Sequence, residues 1–185
     1  MDGALFEFGI ENPRGALRKR PYMNVEQWPA HMRAKLETVD YCAYGHPYKK
    51  STNWWTSLLK WLPIGVTGDG RCHGRCGQGG WTTGIGDVKH FVHSKALGLQ
   101  PYEGLQGKGA KKHLNSVPAN LHREILEQVI KQRTDPAATV LLDLCAGYGS
   151  LKPVAESLGL KYVALDLRNL CGADHVVAIP SRSTS

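Results

Sequence analysis

No apolar run in the sequence approaches the length needed to cross a bilayer, which excludes a membrane-spanning helix. Met1 to Ile10 carries two acids and no basic residue, so the charged start of a secretory signal is missing and export is not expected. Cysteine is scarce and odd in number, five in 185 residues, too few and too uneven for a disulfide framework. Reduced thiols in an intracellular compartment, nucleus or cytoplasm, are the expectation. There is no internal repeat and no long low-complexity tract, only a glycine-rich stretch from Gly65 to Gly86 where exposed loops are expected.

What is there is an ordinary globular composition, 42% hydrophobic and 21% charged, in a chain of 20.3 kDa that suffices for one domain with a genuine core. The net charge of +7 and a pI near 9.2 favour a polyanionic partner. Residues 1–135 carry 19 Lys/Arg against 12 Asp/Glu, while 136–185 carry 4 against 4, so the whole excess lies in the first part.

The first part reads as short strands. An apolar run from Leu5 to Ile10 stops at Glu11-Asn12-Pro13-Arg14-Gly15, which places the acid and amide just past a strand end. Val25 to Lys35 is expected as a helix, Glu37 to Tyr44 as a strand, and Ser51 to Trp61 as a third strand whose tryptophans belong to the core. From Val117 the pattern changes. Pro118 followed by Leu121, Ile125, Leu126, Val129 and Ile130 has helical spacing, ending near Arg133. Ala138 to Leu144 reads as a buried strand, Leu151 to Leu158 as a helix stopped by Gly159, and Tyr162 to Asp166 as a second strand, together a right-handed βαβ unit.

Between that strand and helix stands Asp143-Leu144-Cys145-Ala146-Gly147-Tyr148-Gly149-Ser150, which has G-x-G without the full G-x-G-x-x-G of dinucleotide-binding turns, so NAD is disfavoured. The pattern resembles motif I of the S-adenosylmethionine-dependent methyltransferases. That resemblance implies a cofactor site at Asp143, Ala146, Gly147 and Gly149, with Asp166 on the ribose.

Near the other end, Phe8-Gly9-Ile10-Glu11-Asn12-Pro13-Arg14-Gly15 resembles the E-N motif of DNA cytosine-5 methyltransferases, in the version carried by phage-like and viral members. Leu17 to Met23, Val39 to Gly45, Lys49 to Thr56 and Val117 to Leu121 resemble successive blocks of the same group. The order is inverted relative to the usual one, with the E-N block at residue 11 and the cofactor turn at 143, as in the circularly permuted domains-rearranged methyltransferases. In that family a cysteine thiolate attacks cytosine carbon 6 while a glutamate holds the base, after the base has left the stack. The resemblance implies Glu11 as that glutamate, with Asn12 beside it, and Lys49 and Lys50 on the base or a phosphate.

The family's nucleophile lies in a Pro-Cys motif, and no Pro-Cys occurs anywhere in this sequence. The chain is therefore expected to be partial or inactive alone, with a complementary segment supplying the rest of the sheet. The alternative is a noncatalytic nucleic-acid-binding module with a methyltransferase-like fold. A methyltransferase of another substrate is the third reading; the lack of an Asp-Pro-Pro-Tyr-type motif counts against adenine.

One further constellation stands outside this scheme. Cys72 and Cys76, followed by His90 and His93, could close a tetrahedral zinc site; otherwise they are free thiols and exposed imidazoles around a loop. Arg71, Arg75, Lys89 and Lys95 give the same region charge to meet the phosphates of DNA, and Trp81, if exposed, a face for a base. The expected architecture is α/β, a Rossmann-like methyltransferase sheet, permuted and incomplete. It divides into a target-side half (1–64), a Gly-rich basic recognition-type loop subdomain (65–116), and the closing helix with the cofactor-binding βαβ unit (117–185).

Overall fold

The computed structural model describes residues 7–13, 15–29, 32–93, 117–132, 140–144, 150–166 and 175–176. The chain is mixed α/β, with small open sheets and few helices. It divides into two compact units, Met1–Gln106 and Gly107–Ser185, each taken by itself below.

The first unit is built on an antiparallel sheet of β1 (Gly9–Pro13), β2 (Lys35–Asp40) and β3 (Ser51–Thr56), in the order β1-β3-β2. The central strand, Ser-Thr-Asn-Trp-Trp-Thr, is rich in β-branched and aromatic residues that fit a pleated surface. Flanked on both edges, its residues from Thr52 to Thr56 are all buried. β1 begins later than expected and takes Glu11 and Asn12 into the strand itself, opposite Trp54 and Asn53. Pro13 is compatible with this because β1 is an edge strand, where a missing N–H need not break the ladder.

The helix expected over Val25–Lys35 does not form. The segment instead begins with a short 3-10 turn at Val25–Gln27, just after another at Pro21–Met23, and β2 starts at Lys35. Pro29 accounts for the break: it lacks a donor, and it holds the preceding Trp28 in an extended conformation, φ −75° and ψ 148°. The strand expected to run on to Tyr44 ends at Asp40. Tyr41–Tyr44 then form a buried 3-10 turn closed by Gly45 at φ 87°, a conformation that favours glycine. Trp54, Trp55 and Trp61 belong to the core as expected, Trp54 and Trp61 meeting edge-on at 6.4 Å between ring centroids. The Nε1–H of Trp55 donates to the Met23 carbonyl at 3.0 Å and ties the turns to the sheet.

The glycine-rich stretch is not all loop. β4 (Gly79–Thr83) and β5 (Lys89–His93) form an antiparallel hairpin, with Trp81 opposite Phe91 and Gly79 opposite His93.

In the second unit α1 (Ala119–Gln132) starts just after Pro118, whose carbonyl accepts from the N–H groups of Leu121 and His122. β6 (Val140–Leu144), α2 (Lys152–Ser157) and β7 (Lys161–Asp166) follow in the expected order, and β6 and β7 pair in parallel. β8 (His175–Val176) pairs in parallel with β7. Leu126, Val154, Ala155 and Leu160 form the core, with Leu141 and Tyr162 against it. The expectation of a buried strand over Ala138 to Leu144 is corrected: Val140 and Leu142 are about half exposed. The core lies on the Leu141 side, and strand alternation turns Val140 and Leu142 to the other face.

Candidate metal centre

Four potential ligand atoms converge in the first unit, from Cys42, Cys72, Cys76 and His93, all within 4.8 Å of one another. Cys42 comes from the 3-10 turn after β2. Cys72 and Cys76 come from a tight turn in which the Arg75 N–H donates to the Cys72 carbonyl at 2.8 Å and Gly74 takes φ 71°. His93 ends β5. The Sγ atoms of Cys72 and Cys76 are 3.4 Å apart, and His93 Nε2 lies 3.2 Å and 3.6 Å from them. A tetrahedral zinc ion with sulfur at about 2.3 Å and nitrogen at about 2.0 Å requires ligand separations of about 3.5–3.8 Å, so the cluster has the size of such a site. Three thiols and an imidazole are the donor set that zinc takes. The residues can hold a metal ion, and the chemistry is consistent with zinc.

Burial pushes the Cys42 and Cys76 thiols up, so with no ion present they are protonated, and a cation that bonds their sulfurs must expel those protons. Burial lowers the His93 imidazole, and Lys49 pushes it the same way against the opposing charge of Asp40, which leaves the neutral ring that ligates metals. Around the ligands, Asp40 is 1% exposed and its carboxylate accepts from the Cys72 N–H at 2.9 Å and from the Ser51 hydroxyl. Arg71 Nε lies 3.4 Å from the same carboxylate and Lys49 Nζ 3.8 Å.

The structure thus brings together three of the four residues expected in this site and replaces the fourth. His90 is not part of the cluster. In a strand, side chains alternate, so residues three apart face opposite ways, and the ring of His90 lies beside Gly84 instead. Cys42, thirty positions before Cys72, takes its place. No local spacing marks Cys42 as a ligand, and the sequence places it inside the strand expected over Glu37 to Tyr44, so nothing local points to it.

Elsewhere in this unit, Glu11 accepts a hydrogen bond from the Tyr41 hydroxyl at 2.8 Å and lies 3.8 Å from Lys50 Nζ. Lys50 also sits over the Tyr41 ring, 4.8 Å from its centroid. Burial, then the Glu11 charge and hydrogen bond, push the Tyr41 hydroxyl far up, so it stays protonated as the donor. Asn12 belongs to the opposite face of the sheet, in a row with Asn53 and Thr38, whose side chains hydrogen-bond at 3.0 Å. Of the basic residues assigned to nucleic acid, Lys49 and Arg71 pair with Asp40, Lys50 pairs with Glu11, and Arg75 is exposed on the metal turn; Lys95 lies outside the described residues.

In the second unit the Tyr162 hydroxyl donates to Asp143 Oδ2 at 2.7 Å across the parallel pair. Ala146, Gly147 and Gly149 lie outside the described residues, as does the side chain of Asp166, whose backbone ends β7. Among the described residues no helix is long and apolar enough to cross a membrane. Comparison with protein-family models, curated proteins and solved structures gives no match to this chain.

Proposed function

We propose that the cluster of Cys42, Cys72, Cys76 and His93 binds one zinc ion as a structural staple. We further propose that the chain is an S-adenosylmethionine-dependent DNA cytosine-5 methyltransferase-like protein with a circularly permuted, Rossmann-like sheet. Four protein ligands leave no open coordination position, so the ion builds the target-side unit and takes no part in chemistry.

The observation that carries the DNA reading is the setting of Glu11. Its carboxylate is gripped by Tyr41 and Lys50, yet the side chain remains 26% exposed, as a group that receives a flipped base needs to be. The second unit supports the cofactor half: β6, α2 and β7 form a parallel βαβ arrangement, and in the sequence Cys145 to Gly149 follow β6 directly, the position from which such units take nucleotide-type ligands. In this reading Asp143, Ala146, Gly147, Gly149 and Asp166 hold the cofactor, which supplies an activated methyl group. With no Pro-Cys in the sequence, the attacking thiolate has to come from a complementary segment, and these residues alone bind without turnover. The absence of that motif also favours the second reading, a noncatalytic nucleic-acid-binding module.

Calorimetric titration of the zinc-loaded chain with S-adenosylmethionine separates the two. Saturable binding that is lost in Asp166→Ala supports the methyltransferase reading. No binding by a folded, zinc-loaded chain overturns it and leaves the binding module.

A further inference from the structure

The β4–β5 hairpin carries its residues in register so that Trp81, Thr83, Phe91, Lys89 and His93 share one face. At the base of that face is the metal cluster, through His93. Next comes Phe91, which packs against Cys42, Cys72 and Cys76 and meets the His93 ring edge-on at 5.0 Å. Trp81 follows, edge-on to Phe91 with centroids 5.7 Å apart and planes at 74°. Its six-membered ring also lies against Gly74 of the metal turn, where a Cβ would fall 2.5 Å from Trp81 Cζ2. The ligand turn and Phe91 therefore brace the indole from two sides.

Despite that bracing, Trp81 is 60% exposed. An indole fixed by its surroundings and open to water is a ready stacking surface, since little side-chain entropy is lost when a planar ligand lands on it. Beside it is an open concavity lined by Trp81, Thr82, Thr83 and Lys89. Hydroxyls and an ammonium group are donors suited to phosphate oxygens. A flat aromatic face, adjacent donors for an anion, and a chain with a net charge of +7 complement a nucleotide in both of its parts. A paired base inside a duplex hides both faces in the stack, so the occupant must be unpaired.

We infer that this face of the hairpin binds an unpaired nucleotide of a nucleic-acid strand, its base stacked on Trp81 and its flanking phosphate held by Lys89, with the metal turn fixing the platform. The site rests on the nucleic-acid half of the proposed function and is separate from Glu11.

The test uses the zinc-loaded full chain and a short fluorescein-labelled oligothymidylate, read by anisotropy, beside the same strand carrying abasic sites. Trp81→Ala is expected to weaken binding of the thymine strand about tenfold or more, and Trp81→Phe by no more than about threefold. The wild type should bind the abasic strand about tenfold more weakly than the thymine strand, and Trp81→Ala should bind both alike. Lys89→Ala should lower affinity for both strands and flatten the salt dependence. A full equivalent of zinc in each variant certifies its fold. If Trp81→Ala still discriminates thymine from abasic strands as the wild type does, the inference is overturned while the DNA reading stands. If the folded wild type binds neither strand but binds a duplex of the same length, the inference falls alone; if it binds no duplex either, the DNA reading falls with it.

Discussion

The backbone N–H of Cys72 donates to Oδ2 of Asp40 at 2.9 Å, which fastens the first cysteine of the metal turn to the buried end of β2. A buried carboxylate needs compensation. Burial alone would raise Asp40, and the Ser51 hydroxyl, the Cys72 N–H, Arg71 and Lys49 together outweigh it and hold the group below its ordinary value. The ligand turn and the sheet are thereby coupled through one side chain.

Asp40→Ala should destabilise the first unit by about 2–4 kcal/mol, because it leaves the Cys72 N–H, the Ser51 hydroxyl and Arg71 without their acceptor. It should also loosen metal binding by about 10–100-fold, the usual effect of losing a group that orients a ligand. Urea melts and competition with a zinc chelator measure the two effects. Since the folded pKa of Asp40 is depressed, its contribution is full above the unfolded value near 4 and disappears as pH falls through the folded one.

Tyr41→Phe removes the hydrogen bond to Glu11 and should cost about 1–2 kcal/mol, given that Glu11 keeps Lys50 and some solvent. Glu11→Gln retains an acceptor and should cost less than Tyr41→Phe in the same chemical melt. An equal or larger loss in Glu11→Gln would mean that the Lys50 ion pair, not the hydroxyl, positions this side chain.

Gly74→Ala puts a Cβ where the Trp81 ring lies, at a backbone angle of φ 71° that disfavours alanine. The indole should be displaced, with a shift in tryptophan emission and a stability loss of about 1–3 kcal/mol. Unchanged emission and stability would show that the turn does not brace the ring.

The second unit should weaken in mild acid. His122, in α1, is 6% exposed, and burial lowers its pKa to about 4 against a weaker opposing hydrogen bond to the Ser150 backbone. The unfolded chain takes up the proton near pH 6.5, so stability is full above that pH and falls as pH drops toward 4, at about 1.4 kcal/mol per pH unit. Between pH 6.5 and pH 5 this amounts to about 2 kcal/mol. His122→Leu should flatten that slope in denaturant titrations at the two pH values.

Legibility from sequence tracked how local the deciding interaction was. In the second unit, helical spacing after Pro118 and the stop at Gly159 placed α1, β6, α2 and β7 within about two residues, because caps and periodicity lie inside each segment. In the first unit a helix is expected over Val25–Lys35, but Pro29 breaks it. The metal site divides the same way. Cys72 and Cys76 are legible as a turn with ligand spacing, whereas Cys42 enters only through the fold. His90 and His93 could pair in a loop, where spacing sets no face, but the segment is a strand, where residues three apart face opposite ways.

Zinc stoichiometry and affinity of the wild type, Cys42→Ser and His90→Ala test the central claim most directly. One equivalent per wild-type chain is expected, retained with little change in His90→Ala and weakened by at least about 100-fold in Cys42→Ser, beyond the loss typical of a residue outside the ligand set. No zinc on a folded wild-type chain, or binding that survives Cys42→Ser and is lost in His90→Ala, would contradict it.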